Sequence, residues 1–330
     1  MKPTIINHKI YGRFTISEPV LIDLIKSPAL QRLKKIAQLG AWHFYHQKPG
    51  NFNRYQHSIG VLLLLRKYGA SLEEQTAGLL HDISHTAFSH VIDRVYGREL
   101  YQDYQDSRLK KAFELQGINK ILKHHGLKPK KILDFSKFTL LEKELPDLCA
   151  DRIDYTLQDP IAKYLLKNKT QDLIKKLIVY QNHFVFANVA SAKKFSYLYL
   201  KLNKVVWCNP LQSSLYWILA DTIKLSLAKK IINKKDLFTT DDVVMKKLKL
   251  AKDSEINQQL KTLKKLKIKI VEPKKADLIL KTKFRIVDPP LLQNGKLIRL
   301  SKIDPNYRRQ INDFRKQATN GFCVKILNSK

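Results

Sequence analysis

Acidic residues are scarce in this chain. Its 29 Asp and Glu face 61 Lys and Arg, a formal net charge of +32. Such an excess attracts polyanions: nucleic acid, anionic lipid and nucleotide phosphates. AT-rich coding would give the same excess without any use for it, because the chain is rich in Lys, Ile and Asn and the lysines are spread widely. Cysteine is also scarce. Cys149, Cys208 and Cys323 are far apart and odd in number, which excludes a disulfide framework and a paired-cysteine metal knot. A cytoplasmic, reducing location is expected. No run of about 18 uncharged apolar residues occurs, so no transmembrane helix and no membrane partner is expected. Met1-Lys2-Pro3-Thr4 leads into no long apolar stretch, so no signal peptide is expected either.

What is present is helical periodicity over 330 residues, enough for a large domain and a smaller one. Residues 4–16 read as an extended hairpin turning at Tyr11-Gly12-Arg13. Ser17 is placed to cap a helix through Ile25. Ser27-Pro28 starts another, with Leu30, Leu33, Ile36 and Leu39 on one face and Gly40 as its end. A polar loop over 47–53 leads into a helix carrying His57, and Ser71-Leu72-Glu73-Glu74 reads as a capping box for the helix that reaches His81-Asp82. Beyond residue 232 the pattern changes to lysine-rich helices over 241–266 and strands over 267–271, 278–287 and 321–327. The fold class is therefore mainly α: a helical catalytic body over 1–232 and a small basic α+β domain over 233–330.

The chemistry concentrates in five stretches: Gln38-Leu39-Gly40, Arg54-Tyr55-Gln56-His57, His81-Asp82-Ile83-Ser84-His85, Phe88-Ser89-His90 and Asp151-Arg152-Ile153-Asp154-Tyr155. A single histidine in a helical protein is more often structural than a ligand, and a lone His-Asp doublet arises by chance. The ordered set, each member beside an apolar helix, is different. His57, His81, Asp82 and Asp151 supply two imidazoles and two carboxylates for a divalent cation, a donor set that suits Mn, Fe, Zn, Co or Ni, and Mg less well. Adjacent helical side chains splay, so His81 and Asp82 share one ion only if it lies near the helix end. Such an ion keeps open positions for a water and a phosphate oxygen. His85 and His90 are placed to touch a phosphate and handle protons, with Asp93 as the orienting partner of His90. Arg54 shares a helix face with His57 and can grip a phosphate bidentately; Arg152 and Tyr155 are placed for related work. His8, His43, His46 and His183 show no partners, and Trp207, Trp217 and 195–199 read as core.

These blocks resemble the HD-domain phosphohydrolase superfamily, and within it the deoxynucleoside triphosphate triphosphohydrolase branch. The resemblance covers about residues 15–160 well and 195–230 loosely. It implies that His57, His81, Asp82 and Asp151 are the metal ligands and that Arg54, His85, Arg152 and Tyr155 contact phosphate. It further implies that Gln38 and Asp159 hold the sugar 3′-hydroxyl, with Leu39 beside them, and that His90 belongs to the active site. Two departures stand out. The glycines and proline usual in the HD block are replaced here by Ser84, Thr86 and Ala87. The family's catalytic histidine after that block has no counterpart, the stretch reading Tyr104-Gln105-Asp106-Ser107.

Together these readings give a metal-dependent phosphohydrolase acting on a nucleotide, expected to convert a dNTP to deoxynucleoside and triphosphate and to self-associate as a homo-oligomer. A nucleotidase or phosphodiesterase of different substrate is the neighbouring alternative. The rival from another class is a nucleotide-sensing or nucleic-acid-binding protein with weak turnover, motivated by the charge and the missing histidine.

Overall fold

The computed structural model describes residues 2–41 and 52–327. The expected polar loop lies largely outside these residues, as do His43 and His46. Strands Thr4–His8 and Gly12–Ile16 pair antiparallel, with Thr4 opposite Ile16. The turn falls over 9–11, two residues earlier than the sequence suggests. The reason is His8: its Nδ1 accepts from the N–H groups of Ile10 and Tyr11, both at 3.3 Å.

Helix Pro19–Lys26 is entered through Glu18, not Ser17, and buries Leu21, Ile22 and Leu24. Ser27 does cap the next helix, accepting from Leu30 N–H. That helix runs only over Pro28–Arg32, tightens to a 3-10 turn at Leu33–Lys35 and then becomes extended at Ile36. The backbone is pulled out of the helix by pairing elsewhere. Gln38 N–H donates to Phe52 O at 3.0 Å, and Arg54 N–H donates to Ile36 O at 3.0 Å. Gln38 is thereby laid across the start of the His57 helix.

That helix, Arg54–Lys67, begins with a complete capping box between Asn53 and Gln56. Residues His57 to Leu65 are all buried, as expected for a helix enclosed on every side. Close crossing needs glycine: a Cβ on Gly60 would sit 2.0 Å from Asp154 Oδ1. Helix Leu72–Leu80 is capped by Ser71, but Glu74 does not complete the box. Its carboxylate instead accepts the N–H groups of Leu140 and Leu141, tying a distant loop to the helix. The helix stops at Leu80, so His85 does not share a helical face with His81. A tight turn follows, held by Arg32, whose guanidinium donates to Ile83 O and His85 O at 2.8 Å each.

The turn at Phe88 and Ser89 has positive φ at both residues, a costly conformation for side chains with a Cβ. It is held from the C-terminal part: Phe88 N–H donates to Asp241 Oδ1 at 2.7 Å, and Ala87 N–H donates to Leu237 O at 2.8 Å. Helices Asp241–Leu250 and Ser254–Lys265 join Pro210–Ala228 in a second apolar cluster with Phe88, Val91 and Ile92. One sheet orders Leu177–Tyr180, His183–Phe186, Pro290–Gln293 and Lys296–Arg299, with Asn294-Gly295 as the turn of its last hairpin. A three-stranded sheet orders Lys267–Ile270, Phe322–Leu327 and Leu278–Leu280. The strand expected over 278–287 ends at Leu280; the following residues run without regular structure past the site. The fold is mainly α, with an α+β C-terminal region.

Candidate metal centre and cavity

Three elements place the central cluster: the helix Arg54–Lys67, the turn after Leu80, and helix Ala150–Gln158. His57 Nε2 lies 2.8 Å from Asp151 Oδ1 and 3.2 Å from His81 Nε2. Asp82 approaches from the turn, its oxygens 3.5 Å from His81 Nε2 and 3.8 Å from His57 Nε2. The outer nitrogens are fixed. His57 Nδ1 meets Asp154 Oδ2 at 2.7 Å, and His81 Nδ1 meets Gly78 O at 2.7 Å. A carbonyl only accepts, so Nδ1 of His81 carries the proton, whereas both ring nitrogens of His57 face carboxylates, Asp154 at Nδ1 and Asp151 at Nε2. The Nε2 lone pair of His81 therefore points at His57 Nε2 at close range. Only a shared proton or a cation relieves that contact, and the cluster of His57, His81 and Asp151, with all ligand atoms within 4.8 Å, fits a divalent metal ion. Without one, the proton stays: burial opposes charge on His57, but Asp151 and Asp154 outweigh it and raise its pKa to about 10.

Asp154 is one residue that sequence reading missed. It also accepts from Tyr11 Oη at 2.6 Å and from Gln158 Nε2. Its signal was present, since a carboxylate three residues after Asp151 shares that helix face. Glu142, Cys149 and Asp151 form a second convergent group. There, burial pushes the Cys149 thiol above its ordinary value, and its sulfur already receives Arg152 Nη1 at 3.2 Å, which makes it a poor ligand.

The second pair of histidines has the opposite electrostatics. Burial, then the Arg54 guanidinium, pushes His85 down to about 3; its Nε2 is 3.2 Å from Asp82 Oδ1. Burial also lowers His90, whose Nδ1 meets Asp93 Oδ2 at 2.9 Å. The two rings stand perpendicular, 5.1 Å apart. Asp93 in turn accepts from Tyr104 N–H at 2.9 Å, so the position lacking the family histidine supports His90 through its backbone. Arg54 donates to Asp82 at 2.8 Å and to Ser89 Oγ, with Nη2 left without a partner among the described residues. Burial opposes the charge on Asp82, but Arg54 leads a set of cations that hold it well below the ordinary range.

A cavity of about 360 Å³ opens on this cluster and reaches Arg54, His85, His90, Arg152 and Tyr155. Arg152 is pinned, donating to Asp147 O and Cys149 Sγ. A smaller chamber of about 90 Å³ adjoins it, sharing Gln38, Arg54, His90, Gln102, Tyr155 and Arg285. Leu39, Phe52, Asp159, Trp207, Gln212 and Tyr216 line the rest of it. Gln38 Oε1 and Gln212 Oε1 have no partner among the described residues. Trp207, expected in the core, is half-buried and faces this chamber; Phe195 and Tyr199 are core. All thirteen residues singled out from the sequence therefore lie in or beside one site, Asp93 and Asp151 included. Sequence reading missed Lys283 and Arg285, which reach the large cavity from the irregular segment after Leu280. His183, by contrast, pairs with Asp147, and His125 with Asp23, away from the cluster.

Residues 54–159 match the HD domain family model. YdhJ of Bacillus subtilis, an uncharacterized protein, is 36% identical over 321 residues, 96% of this chain and 98% of its own length. The chain belongs to the HD-domain superfamily of metal-dependent phosphohydrolases. Metal-dependent phosphohydrolase cns2 of Cordyceps militaris is 34% identical over 219 residues, 64% of this chain and 63% of that protein. The deoxynucleoside triphosphate triphosphohydrolase SAMHD1 of Bos taurus is 30% identical over 156 residues, 40% of this chain but 26% of that protein. A solved phosphohydrolase from Bacteroides thetaiotaomicron has a similar fold, with a TM-score of 0.68 at 18% identity, over 99% of this chain and 100% of its own. Among the described residues, no helix is long and apolar enough to cross a membrane.

Proposed function

We propose that this HD protein hydrolyses nucleotides, with a dNTP converted to deoxynucleoside and inorganic triphosphate. The observation that carries the reading is the pairing of two chambers. A polar cavity over the metal-type cluster adjoins a smaller one in which Gln38, Leu39, Asp159, Trp207 and Tyr216 surround a space suited to a sugar and base. A generic phosphate ester needs only the first chamber. The triphosphohydrolase resemblance in the HD region supports the same substrate class.

His57, His81, Asp151 and Asp82 would hold the ion, for which Mn, Fe, Zn, Co or Ni suits the mixed donors better than Mg. A divalent ion there supplies charge to polarise a phosphate oxygen and to lower the pKa of a water. Arg54 presents its free Nη2 to a phosphate oxygen while Nη1 keeps Asp82 in place and Nε holds Ser89. Arg152 and Tyr155 flank the same path. His85, kept neutral by burial and by Arg54, is placed to accept a proton from an attacking water. His90, with Nδ1 held by Asp93, leaves Nε2 free toward the leaving oxygen. Gln38 Oε1 and the Asp159 carboxylate would accept the sugar hydroxyl, against Leu39. A cytoplasmic homo-oligomer, with 233–330 as a small domain packed on the helical body, completes the reading.

The test is a panel of dNTPs, NTPs, monophosphates and single-stranded DNA with Mn, in wild type and His81→Ala/Asp82→Ala. Triphosphate release from dNTPs that the double variant abolishes is the expected result. Cleavage confined to monophosphates or DNA overturns the substrate. Metal binding without any turnover, together with steeply salt-dependent nucleic-acid binding, would replace the enzyme reading with a sensing or nucleic-acid-binding one.

A further inference from the structure

The cations on the metal side of the cavity are largely tied to protein partners, with Arg54 Nη2 left over among the described residues. Arg54 is bonded to Asp82 and Ser89, and Arg152 to Asp147 O and Cys149 Sγ. The opposite wall comes from the segment between Leu280 and Pro290. It has no regular structure, yet its side chains alternate. Phe284 packs on Phe314, ring centroids 5.4 Å apart, and Ile286 is buried in the main core. In extended backbone that alternation turns residues 283 and 285 to the other face, where Lys283 and Arg285 both line the cavity. The segment is anchored at both ends. Cys208 Sγ lies 3.8 Å from Lys283 O, Tyr307 Oη donates to Val287 O, and Asp288 N–H donates to Pro146 O at 2.9 Å. Lys283 Nζ donates to Tyr101 O at 2.7 Å, and Arg285 Nη2 to Gln102 Oε1. Two backbone or amide acceptors hold these cations in position without neutralising them.

We propose that Lys283 and Arg285 form a clamp, supplied by the C-terminal region, that binds the distal phosphates of a triphosphate chain lying across the cavity from the metal centre. The inference rests on the nucleotide reading above and deepens it. It makes the basic C-terminal region a part of the active site, where the bulk charge alone suggested a separate nucleic-acid surface. The clamp's neighbours agree with an anionic occupant. Burial and then Arg285 depress the Lys283 pKa, with Arg152 adding to the repulsion and Asp103 and Asp106 opposing it. An incoming polyanion relieves that crowding of like charge. Arg285 also borders the smaller chamber beside Trp207 and Tyr216, so it stands where the two chambers meet.

The experiment is calorimetric binding of inorganic triphosphate and of orthophosphate, with Mn present, to wild type, Lys283→Gln/Arg285→Gln and the charge-keeping Lys283→Arg. The double variant is expected to lose triphosphate affinity by at least about tenfold, since each charge-assisted bond contributes about that much. Its orthophosphate affinity should stay within about twofold of wild type, because the metal side is intact. Lys283→Arg should bind triphosphate nearly as wild type does, which a merely structural role for Lys283 would not predict. Triphosphate affinity unchanged in the double variant overturns the clamp, and so does an equal loss for both anions. If wild type hydrolyses no nucleotide yet binds triphosphate through these two residues, the clamp stands and the nucleotide reading fails.

Discussion

The two walls of the cavity are built by different rules. On the metal wall every ligand sits on or next to a helix, and three of the four have a partner outside the cluster: His57 on Asp154, His81 on Gly78 O, Asp82 on Arg54. On the facing wall, Lys283 and Arg285 ride an irregular segment and reach across to a loop through single bonds to Tyr101 O and Gln102. Preorganised ligands suit an ion whose geometry must be fixed. Looser cations suit a flexible chain of phosphates, whose oxygens offer many equivalent contacts. The difference predicts that damage to the metal wall is catastrophic and specific, whereas damage to the facing wall is graded.

The sharpest break removes two ligands at once. His81→Ala/Asp82→Ala should lose stoichiometric metal, read by elemental analysis, and lower turnover by more than about 1,000-fold, the scale of several kcal/mol of charge stabilisation. Retained metal with retained turnover would show that the ion sits elsewhere. A smaller loss follows from touching only the support. Asp154→Asn keeps the shape but weakens the hold on His57 Nδ1, and metal affinity should fall about 10- to 100-fold. Gln158 and Tyr11, the other partners of Asp154, keep the side chain in place, so the variant should fold; an unchanged metal affinity would reduce Asp154 to a packing residue.

The contrast between walls is also a contrast in legibility. His57, His81, Asp82, His85, His90 and Asp151 could be read because periodic helices put them at fixed offsets, and their order carried the superfamily resemblance. Asp154 could have been read from the same helix face. Other features were invisible locally. The helix after Ser27 ended at Lys35, short of Gly40, because Ile36 and Gln38 found backbone partners at Arg54 and Phe52. Glu74 left its capping box for Leu140 and Leu141. Lys283 and Arg285 lay in a stretch whose apolar alternation read as a strand; what placed them was the anchoring by Cys208, Tyr307 and Pro146, contacts 75, 20 and 142 residues distant in sequence, which no local pattern encodes.

Packing between the helices of the metal wall can be probed without touching a polar group. Gly60→Ala places a methyl 2.0 Å from Asp154 Oδ1 and 2.3 Å from Gln158 Nε2. The two helices must separate, at a cost of about 1 to 3 kcal/mol in denaturant unfolding. Because Asp154 is the group displaced, metal affinity should fall along with stability. A stable variant with lowered metal affinity would mean that Asp154 alone moves, and one with neither effect would contradict the close crossing.

The mildest test lies in the smaller chamber, where the two walls meet. Burial pushes the Asp159 carboxyl up to about 6. Its ionised form accepts a sugar hydroxyl as a charge-assisted bond; its protonated form loses that advantage. The sign is then fixed: dNTP affinity should weaken as pH falls through about 6, by roughly threefold between neutral pH and one unit below that midpoint. Asp159→Asn, which keeps the cap on Ile161 N–H, should bind more weakly at neutral pH and lose this pH dependence. Binding of a non-hydrolysable dNTP analogue, followed by calorimetry, separates the effect from proton transfer at His85 and His90. A variant that keeps the wild-type pH profile would take Asp159 out of the sugar contact and leave the nucleoside side of the chamber to Gln38, Trp207 and Tyr216.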